Sequence, residues 1–98
     1  MSDINKKNVI DYDQKLSIDD IANAPLIHYT LKDDEKQEVL VGSVAQYWQK
    51  VLPECVSEDN EGTLSMQYDV PALTAAVVLA RKVRELEEEI KNLKKRTA

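Results

Sequence analysis

Apolar residues recur at alternating three- and four-residue intervals along the C-terminal part of the chain. The series runs through Ala72, Ala76, Leu79, Val83, Leu86, Ile90 and Leu93. In heptad terms Ala76, Val83 and Ile90 occupy a positions, while Leu79, Leu86 and Leu93 occupy d positions. Such a repeat forms a seam that packs against another helix in a coiled coil. Since no breaker follows Pro71, the sequence predicts a long helix from there onward, and some 25 residues of it would be roughly 37 Å long at about 1.5 Å per residue.

The charges beside this seam predict how the helices associate. In a parallel, in-register coil, a g residue of one chain meets the e residue five positions further on in its neighbour. That rule pairs Lys82 with Glu87 and Glu89 with Lys94, and both pairs have opposite signs. The pattern therefore favours a parallel homo-oligomer and leaves two or three chains open. Leu73 and Val77 widen the apolar face in the first half of the helix, so we expect that half to pack on its own domain. The alternative is a single amphipathic helix that folds back on the strands of its own chain.

Composition indicates one small domain with few classes of partner. The chain has 98 residues, 43% of them hydrophobic, and a net charge of -5, which argues against nucleic-acid binding because phosphate contacts need a basic surface. The basic run Lys91, Lys94, Lys95 and Arg96 suits the negative end of a helix dipole. The single cysteine, Cys55, excludes an internal disulfide and fits a reducing compartment. No signal peptide or membrane-spanning apolar run is found, so no membrane partner is expected.

Upstream of the long helix, the patterns indicate an α+β body of short elements. Ser17 is placed to cap a short helix over residues 18–23, and the β-rich runs 26–32 and 38–44 predict a hairpin with a charged loop. Residues 44–52 carry apolar side chains on one helical face, with Trp48 as an anchor. A turn over 57–62 and a short strand over 63–67 follow. We divide the chain into a lead-in (1–16), the body (17–70) and the coiled-coil helix (71–98).

No metal or cofactor is expected. His28 is the only histidine and has no cysteine or second histidine at a ligand spacing, so it is interpreted as a strand residue. The acidic run over residues 57–62 lacks the alternating ligands and distal glutamate of an EF-hand. It is interpreted as a plain turn closed by Gly62.

Three phrases together resemble a known family. They are residues 41–46 (VGSVAQ), 51–56 (VLPECV) and 61–68 (EGTLSMQY), followed by the terminal helix. Their order and spacing are similar to the S74-type intramolecular chaperone domain of endosialidases, phage tail fibres and related autocleaved trimeric proteins. Cys55 departs from the small residue, such as alanine, that is usual there.

The resemblance implies a chemical role for the N-terminus. Ser2-Asp3 resembles the family's cleavage junction, with Ser2 as the nucleophile and Lys7 as its base. A serine hydroxyl needs a neighbouring base, and lysine serves only when burial or nearby positive charge, such as Lys6, lowers its pKa. An offset of five residues separates the two side chains on a regular strand or helix, so a local turn or a neighbouring chain must bring them together.

The resemblance also implies the biological role. We expect a homotrimer that aligns three chains while their upstream fibre or spike domain folds in the host-cell cytoplasm during virion assembly. Self-cleavage beside Ser2 would then release the domain from the mature fibre. Because only Met1 precedes Ser2, the chain is expected to be an excised domain with no activity on other substrates. The alternative function is a non-enzymatic oligomerisation or adaptor module.

Overall fold

The computed structural model describes residues 2–10 and 16–97 and has an α+β fold. The elements run in the order α1 (Ile18–Ala22), β1 (Ile27–Tyr29), β2 (Leu40–Gly42), α2 (Ala45–Val51), β3 (Val56–Glu58), β4 (Leu64–Met66) and α3 (Asp69–Thr97), with 3-10 helices at Ile4–Lys6 and Pro53–Cys55. The predicted α+β class with short helices and a long C-terminal helix is thus confirmed, and the structure has two small antiparallel hairpins. From here on, the body means residues 16–66, the described residues from Leu16 to the end of β4, in place of the predicted range 17–70.

The short helix α1 begins as predicted. Ser17 accepts a hydrogen bond from the Asp20 N–H, and the Asp20 carboxylate accepts one from the Ser17 N–H, each over 3.0 Å. This reciprocal pair satisfies two backbone donors that the first turn of a helix leaves open. The helix ends at Ala22, before Pro25.

The predicted first hairpin is present but shorter than its apolar runs. Strands β1 and β2 pair antiparallel with Ile27 opposite Gly42 and Tyr29 opposite Leu40. Residues 30–32 and 38–39 of the predicted strands belong to the connecting loop. In this loop Gln37 has a positive φ of 48°, and its side chain accepts a 2.7 Å hydrogen bond from Thr30. Side-chain bonds therefore replace the strand ladder near the turn.

A second hairpin follows α2, and its first strand, β3, was not predicted from the sequence. Strands β3 and β4 pair antiparallel, so that Ser57 and Glu58, predicted as part of a turn over residues 57–62, belong to β3 and the turn begins at Asp59. The Asp59 carboxylate accepts hydrogen bonds from the N–H groups of Glu61 and Thr63, and Gly62 has a φ of 84°. Strand β3 is three residues long and mostly polar, so its sequence shows no strand pattern. Pairing with β4 and the turn at Asp59 hold it in place instead.

The core is small and lies between the short elements. Its buried members are Leu16, Trp48, Leu52 and Cys55. Leu16 is fully buried although the sequence analysis placed it in the lead-in, because an isolated apolar residue shows no periodicity that would mark it as core. Trp48 is the predicted anchor, and its ring meets that of Tyr47 edge to face with centroids 5.8 Å apart.

The long helix α3 begins at Asp69, two residues before the predicted start, and Pro71 falls within its first turn. Its first half packs on the body as predicted, with Pro71 and Val78 buried and Ala75 against the core. Leu73 and Val77, expected to widen this contact, are exposed instead. At about 100° per residue they point away from the face that Pro71 and Val78 share.

Candidate self-association surface and N-terminal segment

The seam predicted for a coiled coil is a solvent-exposed stripe on α3. We call it the heptad stripe; it comprises Ala76, Leu79, Val83, Leu86, Ile90 and Leu93. Its five large side chains are 44% to 58% exposed. A row of this length on one helix is unusual for a chain that stays alone, because large contiguous apolar patches mark interaction sites.

The heptad stripe is exposed because the body covers a different face of α3. The body-packed face consists of Pro71, Ala75 and Val78, with the half-buried Lys82 beyond them. From the 3.6-residue periodicity, the centres of the two faces lie about 100° apart around the helix axis. The body therefore leaves the stripe free along the whole helix.

The charges beside the heptad stripe are held only loosely within the chain. Lys82 forms an exposed ion pair with Glu85 over 3.5 Å, and Lys91 forms one with Glu88 over 3.8 Å. Within the described residues, Glu87, Glu89 and Lys94 form no ion pair. These three side chains thus keep their charges available for a second chain.

A hydrogen-bonded node at Ser43 fixes the body on the base of α3. Ser43 Oγ donates to the Pro25 carbonyl over 2.5 Å and accepts from Trp48 Nε1 over 2.7 Å. The Ser43 N–H donates to the Tyr68 hydroxyl over 3.1 Å. One serine thereby joins the segment after α1, helix α2 and the residue that precedes α3. Sequence reasoning missed this role, and the only available signal was a serine placed between a glycine and a helix.

The N-terminal segment carries the predicted catalytic residues on an exposed turn. Asp3 caps the 3-10 helix Ile4–Lys6 through a 2.9 Å bond from the Asn5 N–H, and the Lys7 N–H donates to the Ile4 carbonyl over 3.1 Å. A 3-10 turn therefore lies between Ser2 and Lys7. Both residues are exposed, and no hydrogen bond joins their side chains within residues 2–10.

The remaining nucleophilic candidate is Cys55, and its surroundings oppose reactivity. The side chain is 2% exposed and lies in the core. Burial raises the pKa of the Cys55 thiol, and the negative charge of Glu54 adds to the rise. Since the thiolate is the reactive form, Cys55 is a packing residue here.

Residues 2–10 and 16–97 were compared with the ligand clusters and apolar helices that metal ions and bilayers require. In that part of the chain no group of three or more His, Cys, Asp or Glu side chains is arranged to hold a metal ion. No helix there is both long and apolar enough to span a bilayer. His28 lies in β1, opposite Val41 on the exposed face of the hairpin.

Comparison with known proteins bears on the same regions. Residues 2–57 match the family Peptidase_S74, described as chaperone of endosialidase. The match includes Ser2, Lys7 and the phrases at 41–46 and 51–56, and it ends before residues 61–68 and α3. No curated protein and no solved structure matches the chain. Because the match covers more than half of the 98 residues, the chain belongs to the S74 family of endosialidase chaperone domains.

Proposed function

We propose that this domain is an intramolecular chaperone that acts as a parallel homotrimer and is released by self-cleavage beside Ser2. The observation that carries the proposal is the heptad stripe, exposed along α3 beside a separate face that holds the body. Membership in the endosialidase chaperone family supports the chaperone role. The opposite charges at Lys82/Glu87 and Glu89/Lys94 support the parallel arrangement.

Association through α3 would place the three N-termini on equivalent sides of one axis. The chains of an upstream fibre or spike domain would then start to fold in register, because association through α3 raises their effective concentration. Once the fibre has folded, cutting away the helper removes the route by which it assembled. The product is then held by the height of its unfolding barrier.

Cleavage would use Ser2 as the nucleophile and Lys7 as the base that takes its proton. The turn at Ile4–Lys6 supports this assignment because it shortens the path between the two residues. Both side chains are exposed in a single chain, so a neighbouring copy would complete the site by covering them. Cleavage would then report correct trimer formation.

The mass of the assembly in solution tests the oligomer. We expect three chains at micromolar concentration and a smaller species for Leu86→Ala, with the exposed Leu31→Ala variant as the matched control for loss of a leucine outside α3. A wild-type chain that stays monomeric would overturn the proposal.

The cleavage chemistry is tested in a fusion of the chain to an upstream fibre segment, followed on a denaturing gel. The wild-type fusion should give two bands, and Ser2→Ala or Lys7→Ala should give one. Lys6→Ala is the matched control and should retain cleavage at a reduced rate. Persistent cleavage after Ser2→Ala would exclude the dyad, and an uncut wild-type trimer would leave the non-enzymatic oligomerisation module as the function.

Mixed trimers separate a site within one chain from a site shared between chains. Ser2→Ala fusions refolded together with Lys7→Ala fusions should recover cleavage if Ser2 and Lys7 come from different chains. Absence of recovery in trimers of verified mixed composition would assign the dyad to a single chain.

A further inference from the structure

Helix α3 has a third face that is apolar, exposed and, among the described residues, outside the hydrophobic core cluster. Val70, Leu73 and Val77 form this face, which we call the flank stripe. Leu73 is 69% exposed, the most exposed large apolar side chain of the helix. The flank stripe occupies b and e positions of the heptad, about 120° from the heptad stripe and on the side away from the body. A coiled-coil seam alone does not cover it.

A cavity of about 320 Å³ opens beside the opposite flank of the same helix. One side is formed by Pro71, Ala72 and Ala75 of α3 with Tyr68 just before the helix. The body side includes Leu26 of the α1–β1 connection and residues of α1, α2 and β4. The wall is dominated by apolar atoms, and alanines at 72 and 75 keep it open. Ala72 belongs to the apolar series that leads into the heptad stripe, so the cavity is continuous with that surface.

The register of a parallel coil brings the flank stripe and the cavity together. A g residue faces the e residue five positions further on in the neighbouring chain, and by that rule Tyr68 faces Leu73. The body packs on the c and g positions of its own helix. In a parallel coil these positions face the b and e positions of the neighbouring helix. We infer that Leu73 of one chain inserts into the cavity of the adjacent chain, so that each body grips the neighbouring helix as well as its own.

The chemistry and the size of the two surfaces agree. An apolar cavity of about 150 Å³ is enough to hold benzene, so the cavity here accommodates a leucine side chain with room for part of Val70 or Val77. The small side chains of Ala72 and Ala75 permit the close approach that insertion requires. This inference rests on the proposed parallel association and adds to it a second contact, between body and helix.

Truncation of Leu73 tests the contact by its effect on association. Since Leu73 is exposed in the single chain, Leu73→Ala should leave the folded monomer intact, while the concentration of half-association should rise about 30-fold or more, as expected for a buried leucine. Leu31→Ala, an exposed leucine outside the cavity and the stripes, should leave it unchanged. Both are measured by sedimentation, with circular dichroism as the check on folding.

The possible results separate the two claims. A wild-type chain that never associates would overturn the parallel oligomer and the inference together. A wild-type oligomer in which Leu73→Ala and Leu31→Ala associate equally well would overturn the inference alone, because the coil would then persist without the contact.

A disulfide test locates the contact directly. Chains carrying Leu26→Cys, on the cavity wall, are refolded together with chains carrying Leu73→Cys and then oxidised, so that a 26–73 bond can form only between chains. Its formation requires Cα atoms within about 7 Å. The matched mixture of Leu31→Cys with Leu73→Cys should not cross-link. An oligomer of wild-type mass without the 26–73 bond would overturn the inference.

Discussion

At the scale of single residues, the tightest restriction is at Gly42. A Cβ atom built on Gly42 would lie 2.7 Å from the Tyr68 hydroxyl and 3.3 Å from a ring carbon of Tyr29. The same hydroxyl accepts the hydrogen bond from the Ser43 N–H. Glycine at position 42 thus leaves room for the Tyr68 hydroxyl to approach the backbone and join the hairpin to the start of α3.

We expect Gly42→Ala to lower the free energy of unfolding by about 1–3 kcal/mol, the usual cost of forcing atoms into a packed site. Urea denaturation measures the change. Tyr68→Phe removes the clashing hydroxyl, so the alanine substitution should cost less in that background, although the bond from Ser43 is already lost there. An equal cost in both backgrounds would show that the tyrosine hydroxyl is not the obstacle.

The buried thiol of Cys55 gives a pH-dependent prediction. Burial raises its pKa above the ordinary 9.0, so the folded chain holds this proton more tightly than the unfolded chain. The resulting stability is complete below the unfolded pKa and is lost as the pH rises through the folded pKa. Native Cys55 should therefore react slowly with iodoacetamide at about pH 8 and faster after unfolding.

The control for this effect is Cys55→Ala. The wild-type chain should lose more stability than the variant between about pH 8 and about pH 10, because only the wild type carries the thiol. Parallel losses in the two proteins would mean that Cys55 ionisation does not contribute.

At the scale of elements, local sequence patterns predicted the helices, which are stabilised by interactions between residues close in sequence. The Ser17 cap, the apolar face around Trp48 and the repeat in α3 each show within a few turns of chain, and the helices appear where these signals place them. Strand β3 and the burial of Leu16 depend on distant partners, so no local pattern revealed them. The Ser43 node was missed for the same reason: its three partners lie 5, 18 and 25 residues away.

The capping box of α1 is a direct test of the local signals. Ser17→Ala removes the acceptor for the Asp20 N–H and should cost about 1 kcal/mol of stability. Ser57→Ala, on an exposed strand position, removes a hydroxyl without a cap and serves as the matched control. Thermal or urea unfolding of the two variants side by side measures the difference; equal stabilities would show that the box adds nothing.

At the scale of the whole molecule, the single chain is too extended to bury the apolar surface of its long helix. Its radius of gyration is 18.6 Å, against about 13 Å for a compact chain of this length. The helix accounts for much of the 63 Å long axis, and its apolar stripes face outward. Sequence alone predicted the heptad stripe but not the flank stripe, because Leu73 and Val77 could equally have packed on the body.

Orientation within the oligomer can be tested at Glu89 and Lys94, which form no ion pair within the described chain. In a parallel coil Glu89→Lys places like charges opposite each other at every helix interface, at about 0.5 kcal/mol for each exposed pair. The half-association concentration should rise several-fold. Lys94→Glu should act in the same direction, and the double variant Glu89→Lys/Lys94→Glu should recover wild-type association because each pair regains opposite signs.

In an antiparallel coil g residues meet g residues and e residues meet e residues. In that arrangement the double variant does not restore pairs of opposite charge between residues 89 and 94. Failure of the double variant to recover wild-type association would therefore exclude the parallel arrangement. High salt should narrow all these differences, since exposed charges are screened.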